Sequence, residues 1–241
     1  MKPAPPNAVP AGGGHSRFGK CLYAVLWVLC RTFGVSLLGF RSRFAEPLPA
    51  RGGLVVLSSH QSHLDPLLLG LATDRRLSSL ARSSLYAFKP FGAVITALDA
   101  VPIDRNASVI AAMKVVIERL RGGAAVIIFP EGARTFDGQL GEFKSGFSLM
   151  AKRAGVPVVP VAIVGAYECW PRTRLFPRTG RIRVEFGEIL TAEEVAAMDE
   201  RQIFDVCTQR IRDLDARARA TRQCSAALPR PQPRERPTAS R

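Results

Sequence analysis

The sequence predicts an α/β domain with a largely parallel sheet flanked by helices, preceded by an N-terminal membrane-associating helical segment. Three observations predict it. Short apolar runs alternate with helix-period segments from residue 53 onward. A 20-residue apolar stretch, CLYAVLWVLCRTFGVSLLGF (21–40), lies ahead of them, with basic residues on both sides. Apolar residues make up 47% of the 241-residue chain, enough for one well-buried core and not comfortably two.

The elements follow in order. Residues 1–16 are rich in Pro, Gly and Ala and read as a flexible leader. Residues 17–44 form the membrane-associating segment. Its apolar run approaches the roughly 20 residues that span a bilayer. Arg31 near its centre opposes a simple span, at about 2.5–3.5 kcal/mol. Residues 21–30 are apolar all round, whereas Thr32, Ser36, Gly39 and Arg43 mark a small-polar stripe, as in a helix that enters the bilayer and then lies along its surface. Tyr23 and Trp27 are candidate interfacial anchors.

The domain proper is expected over 45–216. LVVLSS (54–59) has strand character, and PLLLGLA (66–72) has helical potential. AVPI (100–103) reads as a strand. Residues 108–121 make the best-marked helix, with Val109, Met113, Val116, Ile117 and Leu120 on one face, Asn106 or Ser108 as cap and Gly122 after its end. AAVIIF (124–129) and VPVVPVAIV (156–164) are strand-like runs on either side of a helix at 145–154 that Gly155 ends. RIRVEF (181–186) alternates with period two. Thr191 and Glu194 form a capping-box pattern. A helix at 200–216 turns Ile203, Val206, Cys207, Ile211 and Leu214 inward. Residues 217–241, rich in Arg, Pro and Ala, read as a basic disordered tail.

Charge is unevenly spread. The formal net charge is +14, and residues 1–44 and 216–241 carry +6 each, which leaves +2 between them. Basic ends suit an anionic surface, either acidic lipid or nucleic acid. The nearly neutral middle and the lack of an aromatic-basic strand motif argue against nucleic acid, which is not expected as a partner. Five cysteines, odd in number and without CxxC spacing, fit a reducing compartment.

Two segments carry the chemistry, each directly after an apolar strand, where ligands of α/β sheets usually sit. In HQSHLD, Asp65 can fold back onto Nδ1–H of His60, fixing the tautomer and leaving Nε2 as a general base. No third ligand is spaced to join His60 and His63 around a metal. Ser62 lacks the G-x-S-x-G elbow that exposes a nucleophile. The group activated by His60 therefore belongs to the substrate. In FPEGARTFDG (129–138), a Pro-Glu-Gly turn frees backbone N–H groups, Arg134 supplies a forked cation and Glu131 can accept from hydroxyls. Such a loop can hold a polyol phosphate.

Taken together, these segments resemble the glycerolipid acyltransferase family typified by 1-acylglycerol-3-phosphate acyltransferases. The family's His-x4-Asp block is matched by His60 to Asp65, and its Phe-Pro-Glu-Gly-Thr-Arg-Ser block by Phe129 to Thr135. Ala81-Arg82, Leu85-Tyr86 and Lys89-Pro90-Phe91-Gly92 resemble the block between them. Val101-Pro102-Ile103-Asp104-Arg105 and the strand from Val156 to Val161 resemble two more. These blocks occur in order over roughly residues 50–190, which is far more specific than a lone His-x4-Asp. The departures are Ser59 for Asn, Ala133 for Thr, Thr135 for Ser and Arg82 for Lys.

The resemblance implies acyl transfer from an acyl thioester to the free hydroxyl of a lysophospholipid, with 1-acylglycerol-3-phosphate as the default acceptor. It implies His60 and Asp65 as the catalytic pair, Arg82, Arg134 and Arg105 on the acceptor phosphate, and Glu131 and Gly132 positioning the glycerol. Acyl-coenzyme A or acyl carrier protein is the implied donor, with no metal or bound cofactor. The expected location is the cytoplasmic face of the cell membrane.

Overall fold

The computed structural model describes residues 38–82, 86, 87, 99–103 and 108–227, together with Thr32 and Ser36. Within them the chain runs β1 (Arg41–Phe44), β2 (Leu54–Ser58), α1 (Asp65–Ala72), β3 (Leu77–Arg82), β4 (Ala100–Ile103), α2 (Val109–Arg121), β5 (Ala125–Ile128), α3 (Gly146–Ala154), β6 (Val158–Val164), α4 (Ala166–Cys169), β7 (Arg183–Phe186), α5 (Ala192–Ala197) and α6 (Glu200–Ala227).

The strands form one seven-stranded sheet in the order β1-β7-β6-β2-β5-β3-β4. Every neighbouring pair is parallel except β6 with β7. The central strands are apolar without alternation because both faces are covered. Leu54 and Val56 of β2 pack with Leu68, Leu69 and Leu71 of α1, whereas Val55 and Leu57 pack with Val116 and Leu120 of α2, Phe147 and Met150 of α3 and Ile203, Cys207 and Ile211 of α6. The result is a three-layer sandwich with α1 on one face of the sheet and the longer helices on the other.

Local signals hold at the helix ends. Ser108 caps α2 by accepting from Ala111 N, Gly155 ends α3 in the left-handed region, and Thr191 and Glu194 close a full capping box on α5. Three expectations need correction. Val109 is 76% exposed instead of inward, because the first turn of α2 overhangs the sheet and burial begins with Val116 and Leu120. Residues 41–44, assigned to the membrane-associating segment, are β1, which pairs with β7. Helix α6 runs on to Ala227, so 217–227 is not a disordered tail. Strand β3 carries little strand signal of its own, because LSSLAR puts two serines where a buried strand would be apolar.

Most of the apolar 21–40 segment lies outside the described residues, as do residues 1–16 and 228–241. Among the described residues no helix is long and apolar enough to cross a membrane.

Candidate active site

β2 and β5 are adjacent and parallel, with Leu57 opposite Ile128. Their C-terminal ends therefore deliver HQSHLD and FPEGARTFDG side by side on one edge of the sheet. The Cα register of β3 and β4 brings Arg82 opposite Ile103, so Arg82 ends its strand on that same edge. The expected phosphate ligand Arg105 lies outside the described residues.

The first turn of α1 places Asp65, which is fully buried, beneath the loop that leads to it. One oxygen, Oδ2, takes His60 Nδ1 at 2.8 Å, Gln61 N at 2.6 Å and Ser62 N at 2.8 Å. A single carboxylate thus folds residues 60–62 back over the helix start, and the helix dipole favours its charge. Because Asp65 Oδ2 already accepts from two backbone N–H groups, it serves as an acceptor for His60 as well, which assigns the hydrogen to Nδ1 and the lone pair to Nε2. The His60 ring stacks on Phe129, with centroids 3.9 Å apart, and its side chain is 18% exposed. The imidazole is therefore fixed at one nitrogen and braced on one face, with access left at the other nitrogen.

The two loops are tied to one another through the backbone of His60. Its N–H donates to Glu131 Oε1 at 2.8 Å, and its carbonyl accepts from Thr135 N at 2.9 Å. The other Glu131 oxygen accepts from Gly141 N at 3.1 Å. Glu131 was expected to meet substrate hydroxyls; its first task in this structure is to clamp the loop against His60. Burial pushes its carboxyl above the ordinary glutamate range, opposed by those two N–H donors.

Gly132 adopts φ 72°, where a side chain is strained, and a Cβ there would stand 3.1 Å from Lys144 Nζ. The glycine therefore leaves room for an ammonium beside the Glu131 loop. Lys144, whose N–H donates to the Pro130 carbonyl at 3.0 Å, is a cation that the sequence reading missed. The signal was available, because GEFKSG follows the loop closely, but nothing in the sequence alone shows that the chain doubles back.

Gln61 is a second missed residue. Its amide nitrogen donates to the Gly138 carbonyl, which also accepts from Arg219 Nη2 of α6 at 2.6 Å. Arg134 is half-buried and near enough to His63 that, after burial itself, its charge is the main influence lowering the His63 pKa. His63 is thus neutral at neutral pH and adds no charge to the site. The two buried cysteines, Cys169 and Cys207, are poor nucleophiles: burial raises the Cys169 thiol and pushes Cys207 up to about 12. What the edge offers is an oriented imidazole base, with Arg134 and Lys144 on the neighbouring loop as cations for an anionic group.

A family model described as "Acyltransferase" matches residues 39–164. The chain is 33% identical over 176 residues to 1-acyl-sn-glycerol-3-phosphate acyltransferase of Pseudomonas aeruginosa, covering 72% of this chain and 66% of that protein. It is 34% identical over 141 residues to a chloroplastic enzyme of the same name from Arabidopsis thaliana, covering 58% of this chain and 38% of that one. The chain thus spans between about a third and two thirds of the length of such relatives. In fold it is similar to the crystal structure of the 1-acyl-sn-glycerophosphate acyltransferase of Thermotoga maritima, with a TM-score of 0.68 at 22% identity, covering 91% of this chain and 87% of the other.

Proposed function

The chain belongs to the acyltransferase family, and from that premise we propose that it moves a fatty acyl group from an acyl thioester to the free hydroxyl of a lysophospholipid. The acceptor is 1-acylglycerol-3-phosphate and the product phosphatidic acid. The observation that carries the reading is the His60–Asp65 pair, held at 2.8 Å on the sheet edge and joined through Glu131 to a cation-bearing loop.

The acceptor hydroxyl loses its proton to His60 Nε2 as its oxygen attacks the thioester carbonyl. Asp65 holds the imidazole in the required tautomer and stabilises the imidazolium that forms. When the tetrahedral intermediate collapses, the C–S bond breaks and His60 returns the proton to the departing thiolate. One ester and one thiol result, and His60 ends as it began. Because the nucleophile is part of the substrate, positioning supplies much of the acceleration. Arg134 and Lys144 hold the acceptor phosphate, with Arg82 and Arg105 as further cations, and Glu131 with Gly132 set the height of the loop over His60.

The donor is acyl-coenzyme A or acyl carrier protein, and the sequence of steps needs no metal or bound cofactor. The enzyme works at a membrane surface, where both acceptor and product reside, on the cytoplasmic face. Purified protein in mixed micelles, given a labelled long-chain acyl thioester and a panel of lysophospholipids, is expected to acylate 1-acylglycerol-3-phosphate first. Preference for a lysolipid without a terminal phosphate would contradict the acceptor assignment, and release of free fatty acid with no acylated lipid would make it a hydrolase.

A further inference from the structure

The segment from Trp170 to Arg183 (WPRTRLFPRTGRIR) carries five arginines and no acidic residue, although it falls in the middle of the chain that is nearly neutral overall. Residues 170–180 form a loop that is closed at its base. Arg178 N donates to the Cys169 carbonyl at 2.8 Å and its Nε to the Glu168 carbonyl, while Trp170 Nε1 donates to the Arg174 carbonyl at 3.0 Å. The tip is apolar and open to solvent, with Leu175 79% and Phe176 75% exposed. Phe136, 74% exposed, joins the patch: the Arg172 guanidinium lies 4.1 Å over its ring.

We propose that this loop is a membrane-docking element, in which Leu175 and Phe176 enter the bilayer interface and Arg172 and Arg174 engage anionic headgroups. Two placements select a lipid surface as the occupant. The first is the link to the catalytic loop. Ser62 Oγ donates to the Trp170 carbonyl at 2.7 Å, two residues from His60, so docking sets the site at the lipid surface. The second is continuity with the apolar N-terminal segment. Leu38 O accepts from Ile182 N at 3.0 Å, and a Cβ on Gly39 would lie 3.1 Å from Gly180 O. Leu38 and Gly39, near the end of that apolar stretch, therefore lie against the C-terminal foot of this loop. Exposed large apolar side chains ringed by arginine match an anionic interface in polarity and in charge.

The proposal shares with the reading above only the idea that the acceptor is a membrane lipid. Its test measures binding without turnover, so the two can fail separately. In the full chain, Phe176→Trp introduces an indole at the tip. With vesicles of phosphatidylcholine and phosphatidylglycerol, brominated phospholipid is expected to quench the fluorescence gained over the parent protein. Leu175→Ser with Phe176→Ser is expected to weaken partitioning by about tenfold or more. Arg174→Glu is expected to weaken it by at least about fivefold on anionic vesicles and little on neutral ones. Both changes are at solvent-exposed positions, and circular dichroism confirms the fold. An unquenched indole at 176 with unchanged partitioning would overturn the proposal. Unchanged partitioning of the serine and glutamate variants on anionic vesicles, with binding lost only to acyl carrier protein, would overturn it too and give the loop to that carrier.

Discussion

Asp65 Oδ2 is the acceptor on which the site turns. It receives one side-chain and two backbone N–H bonds within 2.8 Å, so its carboxylate both builds the loop and selects the His60 tautomer. Asp65→Asn keeps the size but replaces one acceptor oxygen with a donor. If the amide nitrogen occupies the Oδ2 position, it opposes Gln61 N and Ser62 N; if it does not, His60 still loses the charge that favours imidazolium. The expected result is a fall in kcat of about 10³–10⁴ with a small change in KM, read from steady-state transfer kinetics. His63→Asn serves as the contrast. That imidazole is already neutral, and its loss is expected to change kcat less than about threefold, within the ordinary range for an exposed side chain off the reaction path.

Glu131 makes a pH-dependent case at the same scale. Burial raises its carboxyl, so the folded protein holds this proton more tightly than the unfolded chain. Its contribution to stability is full below the ordinary value of 4.5 and is lost as pH rises through the higher folded value. Glu131→Gln removes that titration. Urea unfolding from pH 4 to 7 is expected to show a smaller loss of stability with rising pH in the variant; parallel curves would contradict the assignment. Activity should fall as well, because an amide can accept only one of the His60 and Gly141 N–H bonds.

At the scale of elements, legibility followed local chemistry. Helices α2, α3 and α5 announce themselves by caps and period, and β2, β5 and β6 by apolar runs that two covered faces demand. Strands β1 and β3 do not. RSRF is a sheet-edge strand with mostly exposed side chains, and in LSSLAR the buried Ser78 takes its place through polar contacts with Asp99 and Arg119. Partners distant in sequence create both strands. The His60–Asp65 pair was legible because it is local, five residues apart. Lys144 and Arg219 were not, since each reaches the site through a return of the chain, and Gln61, although beside His60, shows its role only through its bond to the distant Gly138 carbonyl. Helix α6 shows the consequence. Arg219 pairs with Asp215 at 2.6 Å and also holds the Gly138 carbonyl beside Gln61. Arg219→Ala is expected to cost about 1–2 kcal/mol in unfolding experiments, discounted for its partial exposure, and to lower kcat/KM several-fold by loosening the 129–138 loop. An unchanged kcat/KM would mean that this extension of the helix is only structural.

For the molecule as a whole, the parallel sheet gathers on one edge what the chain keeps far apart. The ends of β2 and β5 carry the imidazole and the Glu131 loop, and β3 brings Arg82 to the same side. Charge follows a similar logic. Summed along the sequence, +12 of the +14 lies in residues 1–44 and 216–241, yet in the fold an arginine-rich loop stands against the segment that holds His60. Under the proposed reaction, substrate charge and reacting group meet on that edge without any large movement of the domain.

The most direct measurement is single-turnover transfer from a labelled acyl thioester to 1-acylglycerol-3-phosphate by the parent protein and by His60→Ala, both shown to be folded. Phosphatidic acid is expected from the parent, with a rate lowered by at least about 10³ in the variant, the order of magnitude for removing a positioned general base. Transfer by His60→Ala within tenfold of the parent would contradict the assignment of His60 as the base that takes the hydroxyl proton.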